Sequence, residues 1–292
     1  MGNELTSSIK VSELAKELKL DWDGPDLIIK RIDSLKSLKE GSLSFSKKIQ
    51  PSPQLNKSIL ISPPGTEIGN GSIIQANNPR LVFAKALVLL SQLVGFKKFQ
   101  EKPQIGNDVV ISSSAFLGKG VVVGDRSLIG HNVVIHDGVN IGKDCVIKSN
   151  TIIGEAGFGF ERDEMNEPIR LLHLGGVIIG NRVELGSLNS VCRGTIENTI
   201  IQDDVKTDDQ VHIAHNCIIR KGALIAACVE ISGGVDVGEL TWIGPNSSIV
   251  QKIKIGKKSF IGIASNVTKP VNDGVSVAGN PARIIKKIND NI

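Results

Sequence analysis

The fold of this chain is decided by residues 105–153, which read IGNDVV ISSSAF LGKGVV VGDRSL IGHNVV IHDGVN IGKDCV IKSNTI I. Written in lines of six, this stretch has an aliphatic residue at every first position, from Ile105 to Ile153. Its fifth positions are small or β-branched, and many of its second positions are glycine. A period of six belongs neither to a helix nor to a simple sheet, and it indicates a β-helix of hexapeptide repeats.

Each hexad is expected to form one short strand and one corner. The first-position aliphatic would point inward and stack on its equivalents in the neighbouring coils, while the fifth position would sit at a tight inward corner. Glycine and asparagine near the corners tolerate left-handed backbone angles. Three hexads would close a triangular coil of about eighteen residues, so the fold class is mainly β.

The period breaks over residues 155–178 and again near 197–200, and it then continues to Val267. We therefore predict a β-helix domain over 103–275 with an insertion loop at 155–178. Residues 1–102 read as a small α+β domain, and a tail over 276–292 is expected to hold a short helix. The predicted helices are 11–20, 81–94 and 282–289, and the predicted N-terminal strands are 27–29 and 58–62.

Composition excludes several classes of protein. The formal net charge is +4, no long Lys/Arg stripe is present, and aromatic residues make up 3% of the chain, which argues against nucleic-acid binding. No apolar run reaches the length of about 18 residues that a transmembrane segment needs. The four cysteines have no C-x-x-C spacing and the chain opens with a polar segment, so we expect a reduced, cytoplasmic protein.

The core of a β-helix leaves no pocket, so chemistry is expected at the phase breaks or between chains. Residues 208–216, which read DDQVHIAHN, hold two of the five histidines beside two aspartates and an asparagine. Because Ile213 should point inward, His215 is expected on the outer surface and His212 at the corner before Ile213. An imidazole titrates near neutral pH, which makes His215 a candidate general base.

Other chemistries fit these residues less well. His212 and His215 could share a zinc ion, but no further histidine follows at a usable spacing, so no metal is predicted. The glycines of 154–160 resemble a phosphate-binding loop, but neither a G-K-[ST] nor a Rossmann spacing accompanies them. Cys217 occupies a fifth position, which favours inert burial. A non-catalytic prism would keep the repeat and have no use for His215.

Five segments of the chain form a recognisable set: Gly41–Phe45, Asn78–Ala84, Gly157–Phe160, Leu174–Val177 and Asp208–Asn216. Together they resemble the UDP-3-O-acylglucosamine N-acyltransferases of lipid A biosynthesis, over about residues 10–275. The last segment is the most specific of the five. Other hexapeptide acyltransferases share the repeat, but not this segment combined with this N-terminal domain.

The resemblance implies a homotrimer of left-handed parallel β-helices, each with an N-terminal uridine-binding domain. It implies transfer of a 3-hydroxyacyl chain from acyl carrier protein to the 2-amino group of a UDP-glucosamine derivative, with no cofactor. His215 matches the general base that takes a proton as the amine attacks the thioester, and Asp208 matches a carboxylate that orients the imidazole. Backbone N–H groups at a glycine-bearing corner would hold the oxyanion.

Further positions match residues that bind the substrate in this family. Phe45 matches an aromatic that stacks on uracil, Asn78 a neighbour of the nucleotide, and His173 a position on the sugar side. His212 and Asn216, in the same segment as the base, are also candidate substrate contacts.

The chain departs from the family pattern at several positions. A second uracil-side aromatic is replaced by Pro51, an asparagine between the two aromatics by Lys48, an aspartate by Cys192, and a second histidine by Lys252. Lys252 could hold a donor phosphate. The family's C-terminal helical extension is largely absent, and residues 277–283 are similar to the CoA-lining end of acetyl-CoA-dependent sugar acetyltransferases. An acyl-CoA-dependent sugar-nucleotide N- or O-acyltransferase of surface polysaccharide synthesis is therefore the alternative.

Overall fold

The computed structural model describes residues 2–49, 55–67 and 69–288. The chain divides into two compact units: the first comprises Met1–Lys98, Gly159–Leu174 and Thr195–Glu197, and the second comprises Phe99–Phe158, Gly175–Gly194 and Asn198–Ile292. The insertion, predicted as a loop of the β-helix, is thus divided between the units. Its middle part joins the first unit because Leu171 and Leu174 are buried in that unit's core.

The first unit contains a six-stranded sheet and two helices. Its elements are β1 (Glu4–Lys10), α1 (Val11–Leu18), β2 (Trp22–Asp23), β3 (Ile28–Ile32), β4 (Ser42–Phe45), β5 (Ile59–Ser62), β6 (Ser72–Gln75) and α2 (Pro79–Leu93). The strand order is β1-β3-β4-β5-β6-β2, with β3 to β6 parallel and both outer strands antiparallel to their neighbours. Both helices and both strands predicted for this region are present, with ends shifted by a few residues.

Helix α2 starts where the sequence supplies a cap. The side-chain oxygen of Asn78 accepts a hydrogen bond from the N–H of Leu81 at 3.3 Å, and Pro79 at the first helical position has no N–H to leave unpaired. The inward face of the helix buries Phe83 and Leu87 completely. Among the described residues, no helix combines the length and apolar character needed to cross a bilayer.

The inserted residues of the first unit form a hairpin of β16 (Phe160–Arg162) and β17 (Pro168–Arg170). The guanidinium of Arg170 lies 4.6 Å from the centroid of the Phe160 ring, and Glu161 forms an ion pair with Arg80 of α2. The hairpin is therefore fastened to α2 by charge as well as by apolar packing.

The second unit is a left-handed parallel β-helix whose strands stack in three sheets, here called faces 1, 2 and 3. Face 1 contains β7 (Gln104–Ile105), β10 (Val122–Val123), β13 (Asn140–Ile141), β18 (Val177–Ile179), β21 (Thr199–Ile201), β24 (Ile218–Ile219), β27 (Asp236–Val237) and β30 (Lys254–Ile255). Face 2 contains β8 (Val110–Ile111), β11 (Leu128–Ile129), β14 (Val146–Ile147), β19 (Glu184–Leu185), β22 (Lys206–Thr207), β25 (Leu224–Ile225), β28 (Trp242–Ile243), β31 (Phe260–Ile261), β33 (Val275–Ala278) and β34 (Arg283–Lys287). Face 3 contains β9 (Phe116–Leu117), β12 (Val134–Ile135), β15 (Ile152–Ala156), β20 (Ser190–Arg193), β23 (His212–Ile213), β26 (Glu230–Ile231), β29 (Ser248–Ile249) and β32 (Asn266–Val267). The predicted fold class is confirmed.

From Val123 onward the first-position aliphatics form one continuous core along the β-helix. Strands pair one coil apart, so that Ile129 lies beside Ile147 on face 2. Burying each such side chain stabilises the fold by about 1.5–3 kcal/mol. Thr207 interrupts the aliphatic series, but its hydroxyl oxygen accepts a hydrogen bond from the N–H of Gly186 at 3.2 Å, which satisfies the buried polar group.

Polar residues are accepted at the fifth positions because they tie one coil to the next. The hydroxyl of Ser127 donates to the carbonyl of Gly142 at 3.0 Å. Asn189 makes a longer bridge of the same kind: its Nδ2 donates to the carbonyl of Asp208 at 3.0 Å, and its Oδ1 accepts from the N–H of Val211 at 2.9 Å. Each of these two polar side chains thus binds the backbone of a following coil.

The short C-terminal helix predicted within 282–289 is wrong over the described residues. Strand β34 occupies this segment and pairs antiparallel with β33. Two physical causes favour the strand: Ile284 and Ile285 are β-branched, and the last coil would otherwise leave the edge of β33 unpaired.

Candidate active site

Both phase breaks leave the β-helix at the corner between face 3 and face 1, here called corner 3–1. The chain crosses this corner from β15 to β18 at the first break and from β20 to β21 at the second. On the next coil it crosses from β23 to β24, and His215 lies in that turn. The candidate base therefore shares its corner with both insertions.

The imidazole of His215 is held by its neighbour in sequence. Its Nδ1 lies 3.0 Å from Oδ1 of Asn216, and the ring is half-buried. Asn216 has a left-handed φ of 60°, and its backbone N–H donates to Oγ1 of Thr199 at 2.9 Å. Because an amide oxygen only accepts, this contact fits the neutral tautomer with its proton on Nδ1, in which Nε2 has the lone pair that a general base needs.

Gly233 lies one coil further along the same corner and packs against the ring. A Cβ built on Gly233 would stand 2.7 Å from Cε1 and 2.8 Å from Nε2 of His215. The φ of Gly233 lies outside the left-handed region, unlike that of Gly234 at +71°. The imidazole, not the backbone, therefore requires glycine here. Sequence reading missed this residue, although its position one full coil after His215 was the available signal.

Lys252 continues the same corner. Its N–H donates to the carbonyl of Gly233 at 3.0 Å, just as the N–H of Gly234 donates to the carbonyl of His215 at 2.8 Å. The predicted base and the predicted phosphate partner are thus brought to corner 3–1 on different coils, with Gly233 between them. Lys252 is exposed, so its ammonium group adds a positive charge to the surface at this corner.

His212 does not belong to this corner. It lies in β23 on face 3 rather than at a turn, contrary to prediction, and its Nε2 is 3.8 Å from Oε1 of Glu230 on the next coil. The described residues contain no group of three histidine, cysteine or acidic side chains placed to hold a metal ion.

Asp208 lies at the corner between faces 2 and 3, here called corner 2–3. Its Oδ1 accepts a hydrogen bond from the N–H of Asp209 at 2.8 Å. Strand β23 separates this carboxylate from His215. The structure therefore does not bring the predicted base and its predicted orienting carboxylate together within one chain, and Asn216 occupies the place at Nδ1.

Two cysteines lie close to this part of the β-helix. Burial raises the pKa of the Cys217 thiol to about 12, and burial also raises the pKa of Cys192. Both thiols stay protonated at neutral pH, so neither supplies a thiolate nucleophile.

Arg193 is another residue that the sequence analysis did not select. It supplies hydrogen bonds at corner 3–1, where the chain leaves the β-helix for the first insertion. In an undisturbed coil the N–H of Gly138 donates to the carbonyl of Lys119. At the break this pattern fails, and the guanidinium of Arg193 donates to the carbonyls of Gly154 at 2.6 Å and Asp137 at 3.1 Å. Burial lowers the pKa of Arg193. The available signal in the sequence was a single arginine just before the six-residue period is interrupted.

The candidate nucleotide residues lie in the first unit. The ring centroid of Phe45 is 4.7 Å from that of Phe83, and Phe45 is half-buried while Phe83 is fully buried. Asn78 caps α2 through its side-chain oxygen. Phe45 therefore keeps a partly open ring for stacking, whereas the oxygen of Asn78 is engaged in structure.

His173 also lies in the first unit. It is buried, its Nδ1 lies 3.0 Å from the carbonyl oxygen of Leu171, and its Cε1 would be 2.6 Å from a Cβ built on Gly159. Lys48 is exposed, and its backbone carbonyl accepts from the hydroxyl of Ser46 at 2.8 Å. The prediction about Pro51 lies outside the described residues.

Comparison with known proteins shows the family of the chain. The family Bacterial transferase hexapeptide (six repeats) matches residues 102–137 and 198–233. The UDP-3-O-acylglucosamine N-acyltransferase of Campylobacter lari is 35% identical over 95% of this chain and 94% of its own length. The chain belongs to the UDP-3-O-acylglucosamine N-acyltransferase family. Like the other members of this family, it is an acyltransferase of the lipid A pathway.

The chain is also similar to proteins that match over a shorter stretch or at lower identity. The probable UDP-3-O-acylglucosamine N-acyltransferase 2, mitochondrial, of Arabidopsis thaliana is 35% identical over 44% of this chain and 43% of its own length. Among solved structures, the UDP-N-acetylglucosamine acyltransferase of Campylobacter jejuni gives a TM-score of 0.57 at 24% identity, over 65% of this chain and 72% of its own. The enzyme of Francisella novicida gives 0.59 at 23%, over 65% and 68%. These two structures establish the fold of this N-acyltransferase family member.

Proposed function

We propose that this protein transfers a 3-hydroxyacyl chain from acyl carrier protein to the 2-amino group of a UDP-glucosamine derivative, as a cytoplasmic homotrimer. The observation that carries the proposal is the setting of His215: its Nδ1 lies 3.0 Å from Oδ1 of Asn216 and its ring rests on Gly233, and we assign the role of base to its Nε2. This group lies at corner 3–1, the corner at which the chain leaves the β-helix for both insertions.

The reaction follows from these groups. The substrate amine attacks the thioester carbonyl carbon while Nε2 of His215 takes the amine proton. We assign the resulting oxyanion to the backbone N–H of Gly233, which makes no hydrogen bond within the part of the chain that the structure describes. When the tetrahedral intermediate collapses, the C–S bond breaks, the imidazolium returns its proton to the leaving thiolate, and an amide and a free thiol result.

The remaining candidates bind the substrates in this proposal. Phe45 stacks its partly open ring on uracil, and His173, Asn78, His212 and Asn216 remain candidate sugar-nucleotide contacts. The ammonium of Lys252, on the same corner as the base, attracts a donor phosphate, which both acyl carrier protein and CoA carry through their phosphopantetheine arm.

Donor choice tests the proposal. Purified protein is incubated with a panel of UDP-aminosugars and either 3-hydroxyacyl carrier protein or acetyl-CoA, and products are identified by mass spectrometry. Acylated product from the carrier protein alone is expected. Product from acetyl-CoA alone would replace the proposal with the CoA-dependent sugar acyltransferase.

A matched pair of histidine variants tests the base. His215→Ala is expected to lower kcat by at least about 100-fold, in the range of a lost general base. His131→Ala, whose Nδ1 lies 2.7 Å from the hydroxyl of Ser112 at corner 2–3, is the control and should keep full activity. Equal rates for the two variants would remove His215 from the mechanism.

A further inference from the structure

We propose that the C-terminal end of the β-helix binds the surface of a bilayer that contains anionic phospholipid, with Trp242 and Phe260 in contact with the lipid. Three observations support this inference. They are the charge of this end, an exposed apolar column beside it, and a groove that is lined by both kinds of side chain.

Positive charge is concentrated at this end of the chain. Residues 252–288 hold eight basic residues and one acidic residue, Asp273, which gives a formal charge of +7 against +4 for the whole chain. The rest of the chain therefore has a formal charge of −3. An anionic membrane surface attracts the basic end and repels the remainder, so this asymmetry would orient the protein with its C-terminal end towards the lipid.

Coiling of the chain gathers cations that are separated in the sequence. Lys252 lies at corner 3–1 and Lys254 on face 1. Lys257 and Lys258 lie at the corner between faces 1 and 2, here called corner 1–2, and Lys287 lies on β34. All eight basic residues of the segment are exposed. The sequence therefore shows no continuous basic stripe, although the folded chain has a basic end.

Earlier coils of the β-helix compensate their charges internally. Ion pairs between neighbouring coils, such as that of Arg126 with Asp144, recur as far as Asp236. In residues 252–288, by contrast, Asp273 is the one carboxylate for eight cations. A net positive charge thus remains at this end, and lipid phosphates could neutralise it.

An exposed apolar column runs along face 2 towards the same end. Leu224, Trp242 and Phe260 occupy equivalent outward positions on three successive coils, and they are 38%, 42% and 43% exposed. The corresponding outward positions of face 3 are polar: Glu230, Ser248 and Asn266. Exposed Trp and Phe beside lysines are typical of a surface that lies at the boundary between water and lipid.

A groove of about 790 Å³ joins the charged and the apolar residues. Its lining includes three apolar and three basic residues: Leu240, Trp242, Phe260, Lys257, Lys258 and Lys287. A phospholipid matches this lining, with a phosphate for the lysines and an acyl chain for the rings. Charge alone would suit an acidic protein equally well, but the exposed rings beside the lysines favour lipid. The groove lies along corner 1–2, at the opposite edge of face 1 from the corner of His215.

Co-sedimentation of the purified full-length protein with vesicles tests the proposal. Binding is expected to vesicles of equimolar phosphatidylglycerol and phosphatidylcholine, and not to vesicles of phosphatidylcholine alone. Salt at about 1 M should weaken the binding, because the Debye length then falls to about 3 Å. Equal binding to both kinds of vesicle, or binding to neither, would overturn the proposal.

A matched pair of double variants locates the contact. Lys257→Gln/Lys287→Gln should lower the partition coefficient at least about 25-fold, because each cation near an anionic surface contributes about fivefold. Lys119→Gln/Lys206→Gln removes the same charge from exposed positions of earlier coils, and its partition coefficient should stay within about twofold of the wild type. Equal losses in the two double variants would refute a contact at the C-terminal end.

The fluorescence of Trp242 reports whether lipid reaches the groove. The chain has two tryptophans, so Trp22→Phe leaves Trp242 as the single indole. On anionic vesicles its emission should shift to shorter wavelength and be quenched by lipids that are brominated along the acyl chain. Vesicle binding without these changes would overturn the proposal. A shift produced by acyl carrier protein and not by vesicles would also overturn it and identify an acidic protein as the partner.

These measurements are independent of the acyl transfer proposed above, since they contain no sugar nucleotide and no thioester. Vesicle binding by a protein that transfers no acyl group would refute the proposed function and leave the lipid contact in place. Acyl transfer by a protein that binds no vesicles would do the reverse.

Discussion

The imidazole of His215 lies against Gly233 so closely that any side chain at Gly233 would occupy the space of the ring. Gly233 therefore sets the position of the base, and its N–H is the donor that we assign to the oxyanion. We thus assign two roles to one glycine, and the packing of the imidazole against it depends on the absence of a Cβ.

Gly233→Ala is expected to lower kcat about 10- to 100-fold, because a displacement of the base by about 1 Å carries a cost of this size. Gly176→Ala is the control in the same unit: the nearest atom to its new Cβ is Oδ1 of Asn198 at 3.2 Å, the end of a flexible side chain. Steady-state rates and urea midpoints of both variants check the prediction. A Gly233→Ala enzyme with wild-type kcat would contradict it.

Asn216 offers a second test of how the ring is held. Its left-handed φ makes alanine a poor probe, so Asn216→Gly removes the oxygen without straining the backbone. We expect kcat to fall about 10-fold as the ring loses its anchor. Asn216→Asp keeps an acceptor at Nδ1 and adds a charge that favours the imidazolium, so the acidic limb of the pH–rate profile should move to higher pH. A profile identical to that of the wild type would show that Oδ1 does not engage the ring during catalysis.

The repeat made most of the fold predictable from sequence. Ile129 and Ile147 pair because a period of six places equivalent residues in one stack, and that arithmetic needs no tertiary information. The C-terminal strand was not predictable in the same way, since β34 depends on its pairing with the edge of β33. A local apolar pattern cannot reveal such a partner.

The site was predictable only in part, for a related reason. His215 could be found because its residue type carries the chemistry. Gly233 matters because it has no side chain to displace the imidazole. Asn216 and Arg193 act through contacts with an adjacent residue or an adjacent coil, which the sequence alone does not show. The separation of Asp208 from His215 follows from counting corners, and becomes visible only when the strands are assigned to faces.

Arg193 is expected to stabilise the β-helix at the first phase break. Arg193→Met removes the donors to the buried carbonyl of Gly154 and the half-buried carbonyl of Asp137, and a buried carbonyl left without a partner costs about 1–3 kcal/mol. Arg126→Met is the control, because Arg126 forms a paired contact with Asp144 on an exposed edge, where ion pairs contribute little. Chemical denaturation should show a large loss of unfolding free energy only for Arg193→Met. Equal losses would contradict the prediction, because the exposed Arg126–Asp144 pair would then stabilise the β-helix as much as the Arg193 guanidinium does.

The buried thiol of Cys217 predicts how stability depends on pH. Its pKa is about 12 in the folded protein and near the usual value of 9.0 in the unfolded chain. Between these values the unfolded chain has lost a proton that the folded chain retains, so rising pH favours unfolding by about 1.4 kcal/mol per pH unit for this group. The stabilising effect is fully present below about pH 9 and declines as pH rises towards about 12. Cys217→Ala should therefore flatten the fall in unfolding free energy between about pH 9.5 and 10.5, measured by urea denaturation, while Cys228→Ser, at an exposed site, should leave the slope unchanged. An unchanged slope in Cys217→Ala would show that the thiol is not buried as a neutral group in the folded protein.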